Sequence, residues 1–303
     1  MASTYTNRDS NIRKTWFLMT IFFGVVMAVA FIFAQIYNSP GILYFAVIFS
    51  VVMNIGSYWF SDKIVLSMHH AVPVDLKSNP ELYRILENLT ITAGLPMPRF
   101  FVIQDPAPNA FATGRNAEHA VVCVTSGLLS SLSRVEIEGV LAHELSHIGN
   151  RDMLVSCVVV VLVGFISILS NIFTRNMMFR SLGGSRDSKE GGGIIAIIGL
   201  VLAILSPIIA SLIQMAISRK REFLADASGV LLTRYPEGLA SALQKIGAYR
   251  QPMQTASNAT AHLFIGNPFG ADSREKGETP WLIRIFSTHP PIEERVAALI
   301  GRK

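Results

Sequence analysis

Leu141-Ala142-His143-Glu144-Leu145-Ser146-His147 decides how this chain is read. Ser133 is a good N-cap, and Glu136 three places on completes a capping box with it. Val135, Ile137, Val140, Leu141, Leu145 and Ile148 then recur at helical spacing and Gly149 offers a stop, so the stretch is predicted to be a helix. Residues four apart on a helix lie one above the other, which turns His143 and His147 the same way. Two neutral imidazoles on one face can each give a nitrogen to one tetrahedral Zn²⁺. Glu144 stands one step round the helix, where its carboxylate can reach a water at the metal. The spacing is H-E-x-x-H, which suits metal-assisted hydrolysis. Such a site still needs a third protein ligand and an open position.

The surroundings argue against a merely solvated helix. The chain has 303 residues, half of them hydrophobic and only 16% charged, with a mean hydropathy of +0.42. That is too apolar for an ordinary soluble domain of this length and points to a membrane protein. The formal charge of +5 is modest, and without a clustered basic face or interleaved aromatics nucleic acid is not a partner. Anionic lipid at the cytoplasmic surface suits the excess better. Cys123 and Cys157 make no disulfide framework.

A polar tail, residues 1–14 with Arg8, Arg13 and Lys14, precedes an apolar run over 16–36 that is long enough to span a bilayer. Ala28-Val29-Ala30 has a faint signal-peptidase character, but no polar chain follows, so the span is read as uncleaved. Residues 37–41 turn, and 42–60 cross back, giving a first hairpin over 15–60. The basic tail and the uncharged turn place both the tail and the chain after Phe60 in the cytoplasm. His69 and His70 are expected to be interfacial or solvated.

Residues 61–152 form the first part of a cytoplasmic body. Asn79, Pro80 and Gly94 bracket a helix. Strand-like runs follow at 99–104, 109–113 and 119–125, separated by turn residues, with His119 at a strand start. A second apolar pair, 153–173 and 194–218, makes a hairpin over 153–218. Its basic linker violates the positive-inside rule if both runs cross, so either the linker is an exception or the hairpin is partly packed in protein. The second part of the body, 219–303, opens with Arg219-Lys220-Arg221 and Glu222. It contains an amphipathic helix over 237–249, a long loop over 251–280, and a last helix after His289-Pro290-Pro291. The expected fold class is an α+β integral membrane protein: four apolar membrane helices and a mostly helical body with a small β-sheet, which with its H-E-x-x-H helix resembles the zincin type (gluzincin).

Glu222 is the candidate third ligand, because it re-emerges from the last apolar run on the side where His147 lies. Asp226, one helical turn on, could accept the N–H of a metal-bound imidazole and fix its tautomer.

Four features occur together and in order: the H-E-x-x-H helix, Glu222-x-x-x-Asp226, Asn109-Ala110-Phe111-Ala112-Thr113-Gly114, and His289-Pro290-Pro291-x-x-x-Arg295. In this the chain resembles the HtpX-like membrane metallopeptidases, relatives of the CAAX prenyl endopeptidases, over nearly its whole length. The resemblance implies a zinc endopeptidase of the bacterial inner membrane with a cytoplasm-facing site and one Zn²⁺ per chain. Its substrates would be polypeptides, damaged or misassembled membrane proteins above all. It implies His143, His147 and Glu222 as ligands, Glu144 as base, and His289 and Arg295 near the reacting carbonyl, with His289 donating to the oxyanion. The strand with Asn109 and Ala110 is then a plausible edge for substrate pairing. A dedicated processing peptidase and a zinc-binding scaffold without hydrolysis remain as alternatives. Charged residues on both sides of the motif place it at the interface rather than mid-bilayer, and the intact Glu144 speaks against the scaffold.

Overall fold

The computed structural model describes residues 4–36, 38–161, 219–257, 259–270 and 290–301. His289, all but the start of the second apolar pair, and residues 271–280 of the expected long loop lie outside the described residues.

Helix α1 (Thr4–Ile36) and helix α2 (Gly41–Met68) pack along each other. The chain is already helical at Thr4, so α1 begins within the polar tail. Among the described residues α2 alone is long and apolar enough, by length and composition, to cross a membrane. The start of the second apolar pair is a helix, α6 (Asp152–Val161), whose Met153, Leu154, Val155 and Val158 are buried. Leu154 and Val158 pack on Phe22 of α1. The described start of that hairpin is packed against protein.

The sheet has four strands, one more than the sequence suggests. The addition is β1 (Val72–Val74), which pairs antiparallel with β2 (Arg99–Ile103). Three residues around a proline give no alternating pattern, and proline is tolerated there because β1 is an edge. β2 pairs in parallel with β4 (Val121–Thr125), and β3 (Ala110–Thr113) pairs antiparallel with β4, so the order is β1-β2-β4-β3. His119 does not start a strand. It ends a 3-10 turn, Ala117–His119, capped by the Asn116 side chain.

One face of the sheet packs against α3 (Pro80–Ala93), α5 (Arg134–Asn150) and α8 (Pro236–Ala248) through Val122, Val124, Leu86, Leu141, Leu145 and Leu243. The short helix α4 (Ser126–Ser131) joins β4 to α5. Cys123 and Phe111 face the other way, onto Val65 of α2, Val160 of α6 and Phe264. With both faces covered, β4 is apolar over Val121–Val124 and wholly buried. His69 belongs to this second layer and is neither interfacial nor solvated. It is 1% exposed, its ring lies 5.2 Å from that of Phe264, and its Nδ1 is 2.8 Å from Thr255 Oγ1.

Helix α5 is the hub. Its N-terminus is the expected capping box, with Ser133 N–H donating to Glu136 Oε2 at 2.7 Å. Glu136 also takes Ser241 Oγ at 2.5 Å and Lys245 Nζ at 2.8 Å, both from α8. Burial alone would raise this carboxyl, but these donors hold it down to about 2. A depressed carboxyl stabilises the fold above its unfolded value, about 4.3, and loses that contribution as pH falls through its folded value. Glu136→Gln should therefore cost about 2 kcal/mol at pH 7. Thermal unfolding in detergent at pH 7 and pH 3 checks this: the gap between variant and wild type should narrow at pH 3. An equal gap at both would mean that packing, not charge, is at stake.

Two glycines let other helices close on α5. A Cβ on Gly139 would come within 2.8 Å of the Leu239 nitrogen of α8. A Cβ on Gly229 of α7, described over Arg219–Thr233, would come within 3.0 Å of the His143 nitrogen. Backbone against backbone leaves no side chain to move aside, so α7 can approach His143 this closely only with glycine there. Gly149 is not the stop of α5. The helix runs to Asn150 and ends on Arg151 in the left-handed region, φ 56°. The last helix, α9 (Ile292–Ile300), packs on α8 and α7.

Candidate metal centre

Because α7 lies against α5, Glu222 and Asp226, one turn apart, both reach the His143 face. Nε2 of His143 and Nε2 of His147 are 3.2 Å apart. The Glu222 carboxylate oxygens stand 3.8 Å from the first and 3.7 Å from the second. Four donors at about 2.0–2.1 Å from a tetrahedral zinc are about 3.3 Å from one another, so this triangle has the size of a zinc site.

The outer partners support that fit. His143 Nδ1–H donates to Asp226 Oδ1 at 2.9 Å, and His147 Nδ1–H donates to Asp152 Oδ2 at 3.2 Å. With each Nδ1 committed to a carboxylate, both Nε2 lone pairs converge on one point beside a third anion. A cation relieves that repulsion, and in its place a proton does so. Burial disfavours charge on His147, yet the Asp152 hydrogen bond and the Glu222 charge lift it to about 9, while burial holds His143 down to about 4. A metal and a proton compete for these ring nitrogens, so metal binding weakens in acid.

Asp226 is itself held by Arg295, whose Nη2 and Nε donate to its two oxygens at 2.6 and 2.9 Å. Burial would raise the Asp226 carboxyl, but Arg295 and His143 bring it down to about 2. Arg295 is fully buried behind His143, and its Nη1 lies 3.8 Å from Glu222. It is therefore placed to orient Asp226 and Glu222.

Glu144 is 2% exposed and lines a small cleft with Ala112, His147, Glu222 and His262. Burial pushes its carboxyl up, with the Glu222 charge adding to the rise against His147, to about 7; the Ala112 N–H bonds it. A value near neutrality suits a group that takes and returns a proton.

The expected pairing edge at Asn109 and Ala110 is occupied by the chain itself. Ala110 is 1% exposed and its carbonyl accepts from Ile265 N–H at 2.9 Å. The Asn109 side chain accepts from Gly266 N–H at 3.0 Å and donates to Gly266 O at 3.1 Å. Asn109 is a clamp for the 261–266 segment, and Ala112 is the part of β3 that reaches the cleft. The same segment puts His262 there, its Nε2–H donating to Ser156 O of α6 at 3.1 Å.

Asp152, Asn11 and His262 went unread in the sequence. Asp152 comes beside His147 only because Arg151 breaks the helix between them. Asn11 of α1 then donates to Asp152 Oδ1 at 2.8 Å and to Asn150 O at 3.1 Å. No spacing rule reaches across 141 residues.

Known proteins agree with this geometry. Residues 76–303 match the model of Peptidase family M48. A Protease HtpX homolog of Caldanaerobacter subterraneus is 45% identical over 97% of this chain and 96% of its own. One of Syntrophobacter fumaroxidans is 49% identical, over 84% of this chain and 87% of its own. One of Pyrococcus furiosus is 44% identical over 94% of both chains. The fold is shared with the crystal structure of S. mikatae Ste24p, with a TM-score of 0.50 and 22% identity over 97% of this chain and 67% of that one. The H-E-x-x-H helix, its carboxylate partner on α7 and the length of the match agree, and the chain belongs to Peptidase family M48 as a membrane-bound metallopeptidase.

Proposed function

We propose that this chain is a zinc endopeptidase that cleaves misfolded or damaged membrane proteins at the cytoplasmic face of the plasma membrane. The observation that carries it is the convergence of His143, His147 and Glu222 within 4.8 Å of one another, with Glu144 beside them in a cleft. The proposed metal is one Zn²⁺ held by those three residues, and two nitrogens with one carboxylate suit it. When bound, zinc supplies the positive charge that acidifies water and polarises a peptide carbonyl. Glu144 takes the proton of the attacking water and returns it to the leaving nitrogen. Asp226 and Asp152 hold the two imidazoles, and Arg295 holds Asp226. His289, outside the described residues, is proposed as an oxyanion donor on the strength of the family resemblance.

Four crossings, with the tail and the catalytic body both cytoplasmic, remain our proposed topology. The basic tail before the first span and Arg219-Lys220-Arg221 after the last support it. Membrane proteins are the proposed substrates because the site is built on the end of membrane helices: Asn11 of α1 reaches Asp152. The described cleft holds about 30 Å³, room for little more than water, so an extended chain enters only when the 261–266 segment or α6 moves.

Glu222→Ala tests the ligand set. Purified in detergent, wild type should hold about one zinc per chain and cleave casein until a chelator is added. The variant should lose most of its zinc and its cleavage. Full zinc occupancy in the variant would remove Glu222 from the ligands, and a wild type insensitive to chelators would sink the zinc reading.

A further inference from the structure

Helix α2 carries large exposed apolar residues along one side: Ile48, Val52, Ile55 and Trp59, spaced three and four apart. That is a stripe fit for lipid. The next residue along it, four beyond Trp59, is Lys63. At the same level a cavity of about 450 Å³ opens between α2, the start of β2 and the turn between β3 and β4, sharing no lining residue with the cleft at the metal site. Trp59, Phe60 and Lys63 line it from the helix, and Arg99 and Arg115 from the sheet side.

The cations in this cavity are not equivalent. Arg99 is ion-paired with Asp62. Arg115 Cζ lies over the Trp59 ring, 4.4 Å from its centroid, and the guanidinium donates to His119 Nε2 at 2.7 Å. His119 in turn donates from Nδ1 to Asn116 at 2.7 Å, so ring, imidazole and amide fix the guanidinium in place. Lys63 Nζ stands 5.4 Å from the Phe60 ring. Among the described residues neither Arg115 nor Lys63 has a carboxylate within ion-pair distance, and the one further acid in the lining, Glu118, is exposed on the rim.

We propose that this cavity binds the headgroup phosphate of an anionic phospholipid, with Arg115 and Lys63 as the phosphate ligands and Trp59 and Phe60 against the upper acyl chains. An oriented guanidinium with spare N–H groups suits a phosphate oxygen pair, and a lysine beside it adds a point charge. Aromatic residues where an apolar stripe gives way to charge mark the interfacial depth of a membrane. The inner leaflet, where the proposed topology puts the end of α2, is the anionic one. The inference rests on α2 crossing the membrane and is independent of the zinc chemistry.

Native mass spectrometry of the full chain in detergent, titrated with phosphatidylglycerol or phosphatidylcholine, tests it. Wild type should retain one phosphatidylglycerol per chain with a preference of at least about tenfold over phosphatidylcholine. The double variant Lys63→Ala, Arg115→Ala should lose that preference, while Arg84→Ala, an exposed arginine elsewhere, should keep it. Zinc content and casein cleavage of the double variant should match wild type and so show an intact fold; if they do not, Lys63→Gln alone, leaving the Arg115 stack in place, should still weaken binding several-fold. Equal binding of both lipids, or an unchanged double variant, would overturn the site while leaving α2 a membrane helix. Displacement of the lipid by millimolar inorganic phosphate would make it a free-phosphate site instead. A wild type that stays soluble without detergent would remove the membrane premise itself.

Discussion

Glu144→Gln is expected to leave zinc in place and lower peptide cleavage by at least about 10³-fold, the range in which a positioned general base contributes. Glutamine has nearly the same size as glutamate, and its oxygen can still accept from the Ala112 N–H that bonds the wild-type carboxylate. It does not contribute a metal-ligating atom to the triangle of His143, His147 and Glu222. What it cannot do is accept a proton from water. Zinc content and casein turnover, measured on the same purified preparation, separate the two roles. Cleavage within tenfold of wild type would remove Glu144 as the base. Zinc lost together with activity would mean that the carboxylate is needed to assemble the site.

Asp226→Ala should cost about 3–5 kcal/mol of stability and weaken zinc binding about 10–100-fold. The first effect comes from Arg295, fully buried and bonded to both Asp226 oxygens. Without them its charge is stranded in the interior, with Glu222 as the nearest acid at 3.8 Å. An arginine that turns to Glu222 draws a ligand away from the metal. The second effect comes from His143, which loses the acceptor that fixes its tautomer. Thermal unfolding in detergent and competition with a chelator read the two separately. The double variant Asp226→Leu, Arg295→Leu removes both charges at once. It should recover much of the stability and little of the zinc affinity, because the imidazole still lacks its acceptor. A single variant that melts within about 0.5 kcal/mol of wild type would show that the buried pair contributes little.

The order of the chain was legible where local chemistry is strong. The capping box at Ser133 and Glu136, the helix from Asn79 to Gly94 and the two histidines four apart all depend on neighbours within a few residues. Glu222 could be singled out by its place just after the last apolar run and its company of other motifs, and Asp226 by lying one helical turn beyond it. β1 was not legible, since three residues around Pro73 become a strand only when β2 supplies the partner.

The site shows the same division. Residue types and spacing singled out the two imidazoles and the base on one helix, while the third carboxylate was singled out by where the chain re-emerges from its last apolar run. Tertiary structure decided everything that depends on how closely elements approach. Gly229 lets α7 touch α5, which is what brings Glu222 to the histidines. Arg151, held at positive φ, swings Asp152 beneath His147. The 261–266 segment takes the β3 edge that the sequence left open for substrate. Arg295 is buried and bonded to Asp226, a partner that its place in the chain did not reveal. Spacing along a chain sets which way a side chain points on its own helix, while the residue it meets depends on packing between elements far apart in sequence.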